Sequence, residues 1–191
     1  MTNDRRTRRT QKLLKDAFIK LLSEKKLNEI TVKELCDMAD INRGTFYLHY
    51  QDIYDLKRKL EDEIYQQLLD IVDACPANID EDTSYTLFID LFRFVERHSS
   101  LLKVFLGPNG DISFLRNMQT LFKDRYLNII LHGETSSKTA NLDYTYSFIA
   151  SGFTGLVETW LNEENPTPLE ELAKLTSKML YDGLPSLVSY F

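Results

Sequence analysis

Arg43, Gly44, Thr45, Tyr47 and His49 lie within one short stretch and have the types and spacing needed to read and grip a nucleic acid. An arginine near a helix N-terminus offers two parallel donors that match the O6 and N7 of guanine. Gly44 lets the backbone approach a base edge closely, and hydroxyl and imidazole groups can donate to phosphate oxygens. Arg43, Gly44 and Thr45 are therefore expected at bases, and Thr31, Lys33, Tyr47 and His49 at phosphates. Tyr47 and His49 could instead pack on the next helix, since an amphipathic ring serves either purpose.

The elements that must hold these groups are legible on both sides of them. Thr31 can cap a helix start, Glu34 three residues on can reach back to complete a capping box, and Ile30 and Leu35 occupy the staple positions. That helix is expected to end near Met38 or Ala39, because Asp40 tolerates the left-handed backbone of a tight turn. Asn42 then caps a second helix from Arg43 to about His49, too short to stand alone. Ile41, Phe46 and Tyr50 share its inner face and are expected to pack on Val32, Leu35 and the first helix of the chain.

That first helix opens with Arg5, Arg6, Arg8 and Arg9 and continues with Leu13, Leu14, Ala17, Phe18, Leu21 and Leu22 as one apolar stripe. The arginines either lie along phosphates or form a solvated terminus. Downstream, Leu56, Leu60, Ile64, Leu68 and Val72 predict a long helix from Asp52 to a stop at Pro76. About 20 residues span about 30 Å, enough to connect the reading head to the rest of the chain.

Charge divides the chain in the same way. Residues 1–59 hold 14 Lys+Arg against 9 Asp+Glu, whereas residues 60–191 hold 9 against 20, within an overall net charge of −6. A basic part that meets a polyanion and an acidic part that does not is the simplest reading. The apolar fraction of 43% and charged fraction of 27% are those of an ordinary globular protein. No run approaches the roughly 20 apolar residues needed to cross a bilayer, and the first residues carry charge and no apolar signal core, so a cytoplasmic location is expected and no membrane partner. Cys36 and Cys75 form no CxxC and no zinc spacing, and they read as small apolar residues in a reducing compartment. No nucleophile–base pair, metal-ligand cluster or phosphate-cradling glycine loop is visible, so no catalytic residue, metal or cofactor is expected.

The segment from Ile30 to Tyr50 resembles the helix-turn-helix of the TetR/AcrR family of bacterial transcriptional regulators. The resemblance rests on Thr31-Val32, on Ala39 and Ile41 around the turn, on Gly44-Thr45-Phe46-Tyr47, and on His49-Tyr50 followed by Leu56. The family's usual Ala, Gly and Ser are here Cys36, Asp40 and Asn42, each compatible with its place. Ile53 stands where the family usually has a phosphate-contacting lysine, and Lys57, one turn on, is a candidate substitute. The resemblance implies an all-α fold of about nine helices, with a DNA-binding domain over residues 1–51 and an effector-binding and dimerisation domain over 52–191, of which 52–75 is the connecting helix.

Beyond Pro76 the periodicity is helical throughout. Tyr85, Phe88, Phe92 and Val95 share one face, Ser99 caps a short helix ended by Gly107-Pro108, and Asp111 caps another carrying Leu115, Met118, Leu121, Phe122 and Leu127. After a polar loop from Gly133 to Thr139 comes a helix with Ile149, Gly152, Phe153, Leu156, Val157 and Trp160 in one stripe. Thr167-Pro168-Leu169-Glu170 opens the last helix, expected to run to Gly183. In the resembled family the last two helices usually form half of an intermolecular four-helix bundle; Ile149, Gly152, Phe153, Leu156, Leu172, Thr176 and Met179 are the corresponding interface residues here, unless these stripes only close the chain's own core. Dimerisation matters because one short helix covers few base pairs, and two heads about 34–36 Å apart read a palindrome.

The resemblance further implies a pocket whose ligand shifts the separation of the heads and weakens binding to double-stranded DNA. Its candidate lining is Phe88, Phe92, Phe105, Phe122, Tyr126, Phe148 and Trp160, residues whose spacing suits an ordinary core equally well. The pattern from Tyr144 to Trp160 is similar to a branch of the family that includes regulators of dihydroxyacetone utilisation, where control comes through a protein partner. The expected function is thus a dimeric repressor released by an effector, small molecule or protein. The alternative is an activator, or a helical adaptor controlled by a protein partner.

Overall fold

The computed structural model describes residues 2–76, 80–110, 113–120, 123 and 139–188. Every regular element among them is a helix, in keeping with the all-α expectation. In chain order the α-helices are α1 (Thr2–Glu24), α2 (Val32–Ala39), α3 (Arg43–Tyr47), α4 (Ile53–Asp73), α5 (Glu81–Arg97), α6 (Ser99–Leu106), α7 (113–120), α8 (Thr139–Asn162) and α9 (Leu169–Val188), with a 3-10 turn, Leu27–Glu29, between α1 and α2. They form two compact units, Met1–Ile64 with Ser100–Phe114, and Tyr65–Ser99 with Leu115–Phe191.

The first unit is built on the stripe of α1. Leu14, Ala17, Phe18, Leu21 and Leu22 are buried, and α1 packs along α2, which contributes Leu35, Cys36 and Ala39. Phe46, Tyr50, Ile53, Leu56, Leu60 and Ile64 add the α3–α4 side, and Leu101, Leu102, Val104, Phe105 and Phe114 come from α6 and α7. Full burial of each such side chain contributes about 1.5–3 kcal/mol, the only kind of term large enough to hold a helix as short as α3. Gly110 serves the α6–α7 turn, because a Cβ there would stand 2.0 Å from the carbonyl oxygen of Phe105.

The second unit packs α9 along α5. Leu172, Ala173, Thr176 and Ser177 of α9 are buried, and the Ser177 hydroxyl donates to the Glu81 carbonyl at 3.4 Å. Phe88, Phe92, Phe153 and Trp160 form one ring cluster with centroid separations of 5.6–5.8 Å across the helices. The Trp160 indole donates to the Thr167 carbonyl at 2.8 Å, which fixes the α8–α9 connection.

Two boundaries differ from expectation. Helix α9 starts at Leu169, with the Leu172 amide donating to the Pro168 carbonyl at 3.0 Å, and it continues through Gly183 to Val188. A glycine within a helix costs only about 1 kcal/mol, which neighbouring residues in the same helix offset. Leu121, Phe122 and Leu127 of the expected Asp111-capped helix, Tyr126, and the loop residues 133–138 lie outside the described residues.

Candidate nucleic-acid interface

The segment from Thr31 to Tyr50 is shaped by caps that act within a few residues of each other. The Thr31 hydroxyl oxygen accepts from the Glu34 amide at 3.2 Å, which starts α2. Asp40 takes the left-handed conformation, φ 53° and ψ 46°, and the Ile41 amide donates to the Cys36 carbonyl at 3.0 Å. Asn42 then caps α3, its side-chain oxygen accepting from the Gly44 amide at 2.8 Å. A Cβ on Gly44 would lie 3.3 Å from that same oxygen, so the glycine serves the cap as well as the outer surface. The expected capping box at Thr31 is incomplete: the Glu34 carboxylate pairs with Lys25, which the α1–α2 packing brings alongside, and does not turn back to the cap.

Phe46 anchors α3 from within. It is fully buried, with its ring 5.4 Å from Tyr47 at 83° and 5.5 Å from Tyr50. The Tyr50 amide donates to the Phe46 carbonyl at 2.9 Å, so the chain makes a further turn beyond Tyr47 before it enters α4. Burial holds the Tyr50 hydroxyl above its usual range, with Glu63 and Asp55 adding to the effect. The Cys36 thiol is raised by burial too, which leaves it a packed, protonated side chain in place of the smaller residue usual there.

This frame leaves Arg43 and Gly44 exposed and Thr45 half-buried on the outer side of α3, with Tyr47 58% exposed and His49 half-buried. Thr31 and Lys33 are placed at the first turn of α2, both exposed. Arg43, Gly44, Thr45 and Tyr47 are thus carried by one five-residue helix, and Thr31 and Lys33 by the neighbouring one that packs on it.

The start of α4 is anchored by carboxylates. The Asp52 side chain accepts from the Asp55 amide at 2.7 Å, and the Asp55 side chain accepts from the Gln51 amide at 3.0 Å. Lys59 approaches Asp55 at 3.0 Å, and Arg58 pairs with it as well. The Gln51 amide first, then Lys59 and Arg58, hold the Asp55 carboxyl below the ordinary range. Ile53 is 5% exposed and belongs to the core, so an apolar side chain points inward where the resembled pattern has a lysine. Lys57, the suggested substitute, is buried and hydrogen-bonded to Glu61 at 2.7 Å, because its position on α4 lies beside the apolar stripe.

The expected effector lining is divided. Phe88, Phe92 and Trp160 are buried together, with Phe153 joining them. Phe105 belongs to the first unit, where its ring lies 4.8 Å from Phe114. Phe148 is 72% exposed, and Phe122 and Tyr126 lie outside the described residues. Ser84, one turn before Phe88, carries no signal in the sequence: it is buried, and its hydroxyl has no hydrogen-bond partner among the described residues.

Of the expected interface residues, Gly152 is exposed with open space where a Cβ would be, Met179 is 58% exposed, and Ile149, Phe153 and Leu156 are half-buried. Leu172 and Thr176, each 6% exposed, are already covered within the chain, and the Thr176 hydroxyl donates to the Leu172 carbonyl at 2.7 Å. Among the described residues no group of His, Cys, Asp or Glu is arranged to hold a metal ion, and no helix is long and apolar enough to cross a membrane.

Comparison with known proteins agrees with this fold. The chain is 24% identical over 174 residues to an uncharacterised HTH-type transcriptional regulator, YxbF, of Bacillus subtilis, a match covering 84% of this chain and 42% of that protein. The chain thus spans less than half the length of that relative. It is 23% identical over 199 residues to the HTH-type transcriptional repressor KstR2 of Rhodococcus jostii, covering 97% of this chain and 95% of the repressor. Among solved structures, a TetR transcriptional regulator from Streptococcus agalactiae shares the fold with a TM-score of 0.60 at 21% identity, covering 94% of this chain and 98% of the other. The family model for the TetR-type transcriptional regulator C-terminal region matches residues 82–182. More than half of the chain falls within that match, and the chain belongs to the TetR/AcrR family of transcriptional regulators.

Proposed function

We propose that the protein acts as a homodimer whose two α3 helices read a palindromic operator, and that it represses transcription until an effector bound in the second unit releases it. The observation that carries this reading is the exposed Arg43–Tyr47 face on a helix fixed from below by Phe46 and from its N-terminus by Asn42. Such a face offers a bidentate donor to guanine from Arg43 while Thr31, Lys33, Tyr47 and His49 align on phosphates. Regulators of this family bind DNA and usually act as dimers. In the second unit, Phe148, Gly152 and Met179 are exposed and available to a partner copy, Ile149, Phe153 and Leu156 are half-buried, and Leu172 and Thr176 are left out of that surface. The effector is expected beside Phe88, Phe92 and Trp160, where the Ser84 hydroxyl supplies an unused hydrogen-bonding group.

Fluorescence-anisotropy titration against the region upstream of its own gene tests the reading. Specific binding with a steep salt dependence is expected. Arg43→Ala then costs about 1–3 kcal/mol and relaxes the preference at one base pair, whereas Lys33→Ala weakens all sequences alike and lowers the salt slope by about one. Unchanged affinity of both variants for every duplex would place the reading face elsewhere, and no binding by the wild type at low salt would favour an adaptor.

A further inference from the structure

The first unit holds an open cleft of about 540 Å³ whose walls include Arg8, Lys12 and Lys15 of α1, His49, and Lys59 and Glu63 of α4. Four permanent cations and an imidazole thus face one carboxylate. Glu63 is engaged by Lys15 at 3.6 Å. Lys59 is tied to Asp55 at 3.0 Å, to the His49 carbonyl at 2.8 Å, and lies 5.2 Å over the Tyr50 ring. Arg8 and Lys12 are one turn apart on α1, both exposed, and the Lys12 ammonium has no ion pair or hydrogen bond among the described residues. A concave surface with this excess of positive charge concentrates anions, and a guanidinium next to an ammonium matches the several acceptor oxygens of one phosphate.

The start of α4 makes this cleft consequential. Ile53 is turned into the core and Lys57 is engaged with Glu61, so neither supplies a cation to the DNA backbone. His49, assigned above to a phosphate, lines the same cleft as Arg8 and Lys12. We propose that this cleft binds a phosphate of the DNA backbone, with Arg8 and Lys12 as its direct partners and Lys15 and Lys59 reinforcing the field. Helix α1 then carries the grip that the start of α4 lacks. The inference rests on the DNA-binding reading above.

The experiment uses the full chain and a duplex it selects from a random pool, with backbone phosphates replaced one at a time by neutral methylphosphonates. For the wild type, one position or an adjacent pair outside the bases read by α3 is expected to weaken binding when neutralised. Arg8→Ala and Lys12→Ala lose sensitivity at that position and show salt slopes lower by about one each. Lys20→Ala, an exposed lysine of α1 outside the cleft, retains the wild-type pattern. Equal losses in wild type and variants at every position, with unchanged slopes, overturn the proposal; if Arg43→Ala still lowers affinity, the DNA-binding reading stands without it. Pyrophosphate serves as the probe for a free anion. Binding of pyrophosphate that Lys12→Ala abolishes, with DNA affinity intact, would assign the cleft to a free phosphorylated ligand and overturn the DNA contact. Failure to select any duplex defeats both readings.

Discussion

Replacing Ile53 by lysine restores the residue usual in the family, yet the structure expects it to weaken the fold. Ile53 is 5% exposed, and a fully buried isoleucine contributes about 1.5–3 kcal/mol through the apolar surface it removes from water. A lysine keeps part of its stem covered while its ammonium reaches for solvent. In the first turn of α4 that ammonium also opposes the helix dipole, at a cost of about 0.3–1 kcal/mol. The sum is a loss of about 1–3 kcal/mol, which at typical urea sensitivities lowers the unfolding midpoint by about 1 M. The introduced charge also adds one potential phosphate partner, so the salt slope of DNA binding should steepen by about one. Urea unfolding followed by far-ultraviolet circular dichroism reads the first effect, and anisotropy titration between about 50 and 200 mM salt reads the second. Ile53→Met is the control, expected to cost less than about 1.5 kcal/mol and to leave the slope unchanged. A midpoint for Ile53→Lys equal to that of the wild type would refute the placement of Ile53 in the core. A lower midpoint with an unchanged slope would mean that the start of α4 does not face the backbone.

Asn42→Ala should destabilise the first unit by about 1 kcal/mol and Asn42→Gly by only a few tenths, because only the first removes the cap without supplying a backbone suited to that position. Equal denaturation midpoints for the two would show that the cap is unimportant. For Asp55, the folded carboxyl titrates below its unfolded value of about 3.9, so its stabilisation is present above about pH 4 and is lost as pH falls through the folded pKa. Thermal melts below pH 4 should therefore decline less steeply for Asp55→Asn than for the wild type, and parallel declines would count against the Gln51–Asp55–Lys59 arrangement. Met179→Glu should shift sedimentation from dimer towards monomer while leaving the helical signal intact, because Met179 is 58% exposed in the single chain; an unchanged sedimentation coefficient places the dimer surface elsewhere.

Much of the α2–α3 segment was legible because its determinants are local. Thr31, Asp40 and Asn42 each satisfy backbone groups within four residues of themselves, so residue type and spacing are enough to place α2 and α3. The stripe from Leu56 to Val72 was equally plain, and all five of its residues are buried. The features that spacing could not reveal depend on segments brought together by packing. Glu34 finds Lys25, nine residues away, and Phe105 leaves the aromatic group expected for it and pairs with Phe114. The buried Ser84 hydroxyl gave no signal, since a serine within an amphipathic helix is ordinary. Leu172 and Thr176 show the same limit, because an apolar stripe does not say whether its cover comes from its own chain or from another.

The first unit is discontinuous, uniting Met1–Ile64 with Ser100–Phe114, and this imposes an order on its birth. When the ribosome has released Ile64, the surfaces that Leu101, Leu102, Val104, Phe105 and Phe114 will cover are still bare. About fifty more residues must emerge before the unit can close, roughly 3–10 s at about 5–20 residues per second. During that interval the nascent first unit exposes apolar surface that a chaperone could recognise. A fragment ending at Ile64 would be held in the same unfinished state.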